Sequence, residues 1–84
     1  MKSIVVGSLE SSDCLITLRY SKERKIQIES PVYDAFYKQI NAVIIKTLTA
    51  HNLDEVEVIC QDKGALDYAI KARLETAIKR FKEA

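Results

Sequence analysis

The first third of the chain alternates apolar and polar residues with the period of a β-strand. Ile4-Val5-Val6 is a short β-branched run, and the residues from Cys14 to Tyr20 point alternately to opposite faces. The segment from Lys25 to Glu29 repeats the alternation, with its two isoleucines on the inner face. Because the connection over residues 21–24 is short and polar, it favours an antiparallel hairpin. The pattern therefore predicts three strands arranged as a meander.

The pattern changes at Ser30-Pro31, after which apolar residues recur every three or four positions. Serine is a favourable N-cap, and proline fits the first helical position, where its missing N–H costs nothing. The predicted apolar stripe consists of Val32, Phe36, Ile40, Val43, Ile44, Thr47 and Leu48. His51 and Asn52 suit the end of the helix, since histidine complements the dipole and asparagine tolerates the left-handed conformation. We expect this helix to pack on the sheet.

Alternation returns from Glu55 to Cys60, and a strand that follows a helix can rejoin the sheet by a right-handed crossover. Asp62 is then the predicted N-cap of a second helix. Its apolar stripe is Leu66, Ile70, Leu74, Ala77, Ile78 and Phe81. Its outer face carries Asp67, Lys71, Glu75 and Lys79 at i,i+4 spacing. The order β-β-β-α-β-α predicts one α+β domain over residues 1–84, with two helices packed on one face of a four-stranded, mostly antiparallel sheet.

Composition and charge narrow the classes of function. The chain has 84 residues, 48% hydrophobic and 30% charged, as in a small globular domain with a modest core. Its 13 basic and 12 acidic side chains nearly cancel, so neither nucleic acid nor a membrane is an expected partner. Apolar runs are too short for a signal peptide or a membrane span, which predicts a cytoplasmic location. There, Cys14 and Cys60 are expected to stay thiols.

The common catalytic arrangements can be excluded. A hydrolytic serine needs a base and a group that orients this base, whereas the single His51 is predicted at a helix C-terminus. Two cysteines and this histidine do not complete a metal site, so no metal is expected. Gly7 and Gly64 stand alone, which excludes a glycine-rich phosphate loop. The chain is therefore not expected to be an enzyme by itself.

The connection between the first two predicted strands, residues 7–13, is the remaining candidate site. It is polar, rich in hydroxyls and longer than a hairpin requires, as functional loops often are. Serine, aspartate and glycine are also ordinary turn residues, so a plain surface loop explains it equally well. A loop serine without a base can still be a modification site, because the modifying enzyme supplies the activation. On the residues alone, both interpretations stay open.

Two stretches of the sequence resemble a known family. They are Gly7-Ser8-Leu9-Glu10-Ser11-Ser12-Asp13 and Asp62-Lys63-Gly64-Ala65-Leu66-Asp67, the latter continuing through Ala72-Arg73-Leu74-Glu75 to Arg80. In this order and spacing they closely resemble the acyl carrier protein, or gamma subunit, of citrate lyase over nearly the whole chain. The chain departs from the family pattern at Ser8, Gln61 and Tyr68, where threonine, aspartate and cysteine occur respectively.

The resemblance implies a covalently attached cofactor. In the family, the serine after Leu-Glu is joined through a phosphodiester to phosphoribosyl-dephospho-coenzyme A, an arm that ends in a thiol. That serine corresponds to Ser11, whereas Ser12 falls where family members can have glycine. The arm would hold acetyl and citryl thioesters while citrate is cleaved to acetate and oxaloacetate. The implied partners are the catalytic alpha and beta subunits of citrate lyase, the holo-carrier synthase that transfers the cofactor, and an acetate ligase.

Two alternatives accompany this expectation. A non-enzymatic interaction or regulatory module that binds a partner through the sheet edge is the competing class of function. The Asp62-Lys63-Gly64-Ala65 segment is predicted to start the last helix, with Asp62 as its cap and Gly64 allowing close packing in the first turn. Direct contact of this segment with the arm is the less favoured interpretation.

Overall fold

The computed structural model describes residues 3–30 and 33–84 and, except at residues 33–35, their side chains. Its elements are β1 Ser3–Gly7, β2 Cys14–Tyr20, β3 Lys25–Glu29, α1 Tyr33–Ala50, β4 Val56–Asp62 and α2 Asp67–Glu83. This order confirms the prediction of an α+β fold with the sequence β-β-β-α-β-α. The predicted helix start at Pro31 and the stripe residue Val32 lie outside the described residues.

The sheet has the strand order β1-β2-β4-β3. The β1–β2 and β2–β4 pairs are antiparallel and the β3–β4 pair is parallel, so the prediction of a mostly antiparallel sheet is confirmed. The predicted hairpin between β2 and β3 is wrong, because β4 lies between them. β4 buries Val56, Val58 and Cys60 almost completely, whereas β3 begins and ends with exposed charges, which suit an edge strand.

The connection over residues 21–24 therefore crosses the end of β4 instead of forming a tight turn. Arg24 holds this connection to the chain that leads into β4. Its Nη2 donates to the carbonyl oxygen of Leu53 at 2.6 Å and lies 3.0 Å from Oδ1 of Asp54. The Arg24 side chain thus stabilises this connection, whose short polar sequence had suggested a tight turn.

Both helices pack on one face of the sheet, as predicted. α2 lies over β1 and β2, α1 lies over β3, and the helices contact each other. The largest fully buried side chains come from both layers and are Ile16, Leu18, Ile44, Leu48, Ile70, Leu74, Ile78, Val56, Val58, Cys14 and Cys60. The predicted stripe of α1 is correct from Ile40 onward but wrong at Phe36, which is 46% exposed.

The predicted C-terminal end of α1 is confirmed. Asn52 adopts a left-handed conformation with φ 57°. Its N–H donates to the carbonyl of Thr49 at 3.1 Å, and the N–H of Leu53 donates to the carbonyl of Leu48 at 3.0 Å. These two bonds form a Schellman motif, which satisfies carbonyl groups at the end of the helix.

The prediction that Asp62 caps α2 is wrong. Asp62 is the buried last residue of β4, and α2 begins five residues later, at Asp67, without a side-chain cap. Oδ1 of Asp62 instead accepts the N–H groups of Gly64 at 3.1 Å and Ala65 at 2.8 Å. The carboxylate therefore stabilises the turn after β4. Leu66, expected in the core, precedes the helix and is 61% exposed.

The rest of the α2 stripe is correct, since Ile70, Leu74, Ala77 and Ile78 are buried. In the described part of the chain, no helix has the length and apolar character needed to cross a membrane. Cys14 and Cys60 are both buried and both free, in agreement with the expectation of thiols. The hydrogen bond with Cys14, together with burial, raises the pKa of the Cys60 thiol, which therefore stays protonated.

Candidate functional site

The loop between β1 and β2 starts at a position that only glycine fits. Gly7 has φ +109°, and a Cβ at this position would collide with the carbonyl oxygen of Cys14. The same carbonyl accepts the N–H of Ser8 at 3.1 Å. The base of the loop is therefore closed by a backbone contact that does not tolerate a side chain.

Asp13 connects the loop to helix α2. Its Oδ2 accepts the Ser8 hydroxyl at 2.6 Å, and its Oδ1 accepts the N–H of Cys14 at 2.7 Å. Arg73 donates from Nε to Oδ1 at 3.2 Å and from Nη2 to Oδ2 at 2.9 Å. The Ser8 hydroxyl, the Arg73 guanidinium and the Cys14 amide lower the pKa of Asp13 from 3.8 to about 2. Asp13 is therefore an anion with both oxygens engaged.

The tip of the loop is a β-turn over residues 10–13. The N–H of Asp13 donates to the carbonyl of Glu10 at 3.1 Å, and Ser12 at the third position has φ 67°. Ser11, at the second position, has no positive φ, which is the pattern of a type II turn. Ser11 is exposed, and its hydroxyl has no hydrogen-bond partner among residues 3–30 and 33–84. The turn therefore leaves this hydroxyl accessible.

The segment after β4 forms the other side of the site. The N–H of Ser12 donates to the carbonyl of Lys63 at 2.8 Å, and the N–H of Lys63 donates to the carbonyl of Asp13 at 2.9 Å. Gly64 has φ +98°, and its missing Cβ would lie 3.9 Å from the Cα of Ser12. The two motifs of the sequence, interpreted separately above, are thus adjacent segments of one structure.

This juxtaposition follows from the β2–β4 pairing, which sequence reasoning did not identify. Cys14 is paired with Asp62 in an antiparallel register. Residues just before Cys14 must therefore lie beside residues just after Asp62. The prediction that Gly64 belongs to the first turn of α2 is wrong, because this glycine precedes the helix and its φ of +98° belongs to the turn after β4. The signal for the pairing was the apolar alternation of β4, the strand most suited to the sheet centre.

The site offers an exposed hydroxyl and contains no histidine. His51 is the single histidine, and its Nε2 lies 3.4 Å from Oε2 of Glu75, apart from the loop network. Asp13 is already saturated by donors and its low pKa makes it a poor base. No group of three potential metal-ligating side chains occurs within the residues that the structure describes. The arrangement suits a hydroxyl that receives a group from another catalyst.

Comparison with known proteins agrees with this interpretation. A family model described as the malonate decarboxylase delta subunit (MdcD) matches residues 1–81. The citrate lyase acyl carrier protein of Treponema denticola is 35% identical over 82 residues, which cover 98% of this chain and 94% of the relative. That of Lactiplantibacillus plantarum is 48% identical over 80 residues, which cover 94% of this chain and 83% of the relative.

A solved structure shares the fold. It is a chain of the Pseudomonas malonate decarboxylase hetero-tetramer in complex with malonate, with a TM-score of 0.66 over 93% of this chain and 81% of that chain. At 16% identity, this likeness concerns the fold alone. The sequence relatives place the chain among the acyl carrier proteins. It belongs to the citrate lyase acyl carrier protein family, which confirms the resemblance found in its two motifs.

Proposed function

We propose that this protein is the acyl carrier subunit of citrate lyase and that Ser11 carries a phosphoribosyl-dephospho-coenzyme A arm. One observation supports the site above all others. The Ser11 side chain is exposed and its hydroxyl makes no hydrogen bond within the described residues, whereas the side chains of Ser8 and Asp13 are bonded to each other. A bulky group can therefore be joined to this oxygen without breaking a bond that maintains the loop.

We assign the attachment step to a transferase, since the loop contains no histidine and its Asp13 carboxylate is engaged by donors. In this step, Oγ of Ser11 forms a P–O bond as a leaving group departs from the same phosphorus of an activated arm. A base of the transferase, here the holo-carrier synthase, takes the hydroxyl proton. The carrier contributes the position of the hydroxyl, which Asp13 and the Lys63–Gly64 turn maintain.

The thiol at the end of the arm explains how a protein without catalytic residues takes part in citrate cleavage. Bound to Ser11, the arm would supply a thiol on which acetyl and citryl groups are held as thioesters while citrate is cleaved to acetate and oxaloacetate. We assign the cleavage to the alpha and beta subunits, with acetate ligase loading the thiol, and the group-carrying role to this chain.

The same proposal includes a cytoplasmic location, where soluble partners and a reducing medium for Cys14 and Cys60 are found. The carrier of malonate decarboxylase is a second candidate, favoured by the description of the family model and by the shared fold. Sequence identity favours citrate lyase, because the relatives of that name are 35–48% identical whereas the malonate decarboxylase chain is 16% identical. The two candidates share an acyl thioester and differ in the acid that is loaded.

Intact mass spectrometry tests the attachment. After co-expression with the cofactor-synthesis enzymes and the transferase, we expect the mass of one phosphoribosyl-dephospho-coenzyme A unit on the wild type and on Ser12→Ala. The matched variant Ser11→Ala should lack it. An unmodified wild type, or a modified Ser11→Ala, contradicts the proposal, and an unmodified protein that still binds a partner favours the interaction module. After acetate ligase has acetylated its thiol, the modified carrier mixed with purified alpha and beta subunits should release oxaloacetate from citrate and leave malonate intact.

A further inference from the structure

An apolar cleft lies beside the turn that supports the Ser11 loop. It has a volume of about 440 Å³ and is lined in part by Phe36, Gly64, Leu66 and Tyr68. The three large side chains are 46%, 61% and 72% exposed, whereas most large apolar residues of the two helices are buried or half-buried. A volume above about 300 Å³ with apolar walls is in the range of sites for small molecules and cofactors.

The polar side chains that border this cleft include one amide and two carboxylates. The side-chain amide of Gln39 donates to both carboxylate oxygens of Asp67 at 3.0 Å each. Asp62, which also borders the cleft, is buried and accepts the N–H groups of Gly64 and Ala65. Both carboxylates are therefore engaged, and the exposed walls remain apolar.

A second cleft continues the first along the interface between α1 and α2. It has a volume of about 350 Å³ and shares Asp67 and Tyr68 with the first. Lys46 and Lys71 border it and make no ion pair within the described residues. Glu75, the other acidic residue there, contacts His51. We call the two clefts together the interhelical groove.

The groove begins next to the proposed attachment point. Gly64 lines the first cleft, and the carbonyl of the preceding Lys63 accepts the N–H of Ser12, which follows Ser11 in the turn. Along the groove, the proposed acceptor loop is therefore followed by an apolar cleft with an aromatic wall and then by Lys46 and Lys71.

We propose that the interhelical groove binds the arm, an inference that rests on the proposed function. From Ser11 outward, the arm consists of a ribosyl phosphate, an adenosine, a diphosphate and a pantetheine with the thiol. The adenine would lie in the first cleft, against Tyr68 and Leu66, because bases stack on aromatic side chains. The diphosphate would reach Lys46 and Lys71, whose charges complement it.

Covalent attachment makes weak contacts sufficient for this role. A tethered ligand experiences an effective concentration on the order of millimolar, so modest affinity for the groove still populates the bound state. Binding of the nucleotide part would leave the pantetheine and its thiol free to reach a catalytic subunit. The groove thus leaves only the pantetheine mobile and sets the direction in which the thiol extends away from the carrier.

Amide spectra of the unmodified and modified carriers test this inference. We expect attachment to shift the signals of Gln39, Leu66, Tyr68 and Lys71, in addition to those of residues 8–13. The Tyr68→Ala variant and the Lys46→Gln, Lys71→Gln double variant should carry the arm and lose most of the shifts in the groove. Matched controls are Val5→Ala, an exposed apolar residue of β1, and a Lys22→Gln, Lys79→Gln double variant.

Enzymatic cleavage of the arm gives a second readout. A nucleotide pyrophosphatase should cut the diphosphate severalfold faster in the Lys46→Gln, Lys71→Gln variant than in the wild type or the lysine control. If the arm is attached but spectral changes stay within residues 8–13 and 63–64 and cleavage rates are equal, the groove inference is wrong while the carrier function stands. Groove signals that respond only when a catalytic subunit is added also overturn it. If no arm is attached, both proposals fail.

Discussion

At the scale of single residues, Ser12 determines how Ser11 is presented. Ser12 occupies the third position of a type II turn with φ 67°, where an L-residue other than glycine, asparagine or aspartate is disfavoured. The family resemblance implies Ser11 as the attachment point and glycine as an alternative at position 12, but the sequence did not show why glycine fits there. The left-handed backbone at this position supplies the reason.

Replacement of Ser12 by glycine should therefore stabilise the protein. Relief of the left-handed conformation outweighs the greater flexibility of glycine in the unfolded chain, for a gain of about 0.5 kcal/mol in the free energy of unfolding. The control Ser11→Gly lacks a positive φ to relieve and should lose about 0.5 kcal/mol. Urea denaturation measures both, and changes of the same sign would refute the assigned turn.

Asp13 makes the loop sensitive to acid. Its folded-state pKa of about 2 lies below the ordinary value of 3.8, so the unfolded chain binds the proton more readily. The stabilisation by this carboxylate is therefore complete above pH 3.8 and is lost as the pH falls through about 2. The deficit in unfolding free energy of Asp13→Asn relative to the wild type should be constant near neutral pH and shrink in that acidic window.

Arg73 should account for part of this depressed pKa. Removal of its guanidinium in Arg73→Gln leaves the Ser8 hydroxyl and the Cys14 amide on Asp13, so the pKa should rise without passing 3.8. Carbon NMR of the Asp13 carboxyl group over an acid titration measures it. Arg80→Gln, on an exposed part of the same helix, is the control. Equal titration of Asp13 in the two variants would show that the ion pair has no such role.

At the scale of elements, the strands and helices could be predicted from their periodicity, whereas the order of the strands in the sheet could not. β2 and β3 have the predicted bounds because alternation is a local property of the chain. Strand order depends on which strand gains most from two neighbours, and β4 takes the centre because it buries one complete face. The short connection over residues 21–24 suggested a hairpin, although Arg24 holds it across the sheet.

The turn after β4 shows a second limit of local patterns. An aspartate ahead of an apolar stripe resembles an N-cap, yet Asp62 bonds to Gly64 and Ala65 and also accepts the Ser30 hydroxyl at 3.0 Å. Leu66 and Phe36 follow helical spacing but remain exposed, because they border a groove instead of the core. Periodicity identifies the face of a helix and does not show where the core ends.

Asp62→Ala should accordingly disturb the turn and leave α2 intact. Loss of the buried acceptor leaves two N–H groups without a partner and should lower the free energy of unfolding by about 1–3 kcal/mol. Hydrogen exchange of the Gly64 and Ala65 amides should accelerate, while the amides of α2 keep their protection. Asp67→Ala, in the exposed first turn of the helix, should cost about 0.3–1 kcal/mol. Faster exchange of the α2 amides in Asp62→Ala would instead support the prediction that Asp62 caps the helix.

At the scale of the molecule, the site and the core are separate. Ser11 belongs to an exposed turn held by Asp13, Lys63 and Arg73, which themselves lie at the surface or half-buried. The two motifs are brought together by a strand pairing that places Cys14 opposite Asp62. The resemblance could point to Ser11 as the proposed acceptor without this pairing, whereas the contacts that support the loop follow only from the sheet order.

Because the proposed site and the core are separate, truncation of the Ile70 side chain and truncation of the Ser11 side chain should have opposite effects on stability and attachment. Ile70 is fully buried in α2, so Ile70→Ala should lower the free energy of unfolding by about 2–5 kcal/mol. Because that variant still contains the complete loop, its folded fraction should accept the arm normally. Ser11→Ala should change stability by less than about 0.5 kcal/mol and abolish attachment. Thermal melts combined with intact masses distinguish the two, and equal losses of melting temperature would show that the acceptor loop belongs to the folding core.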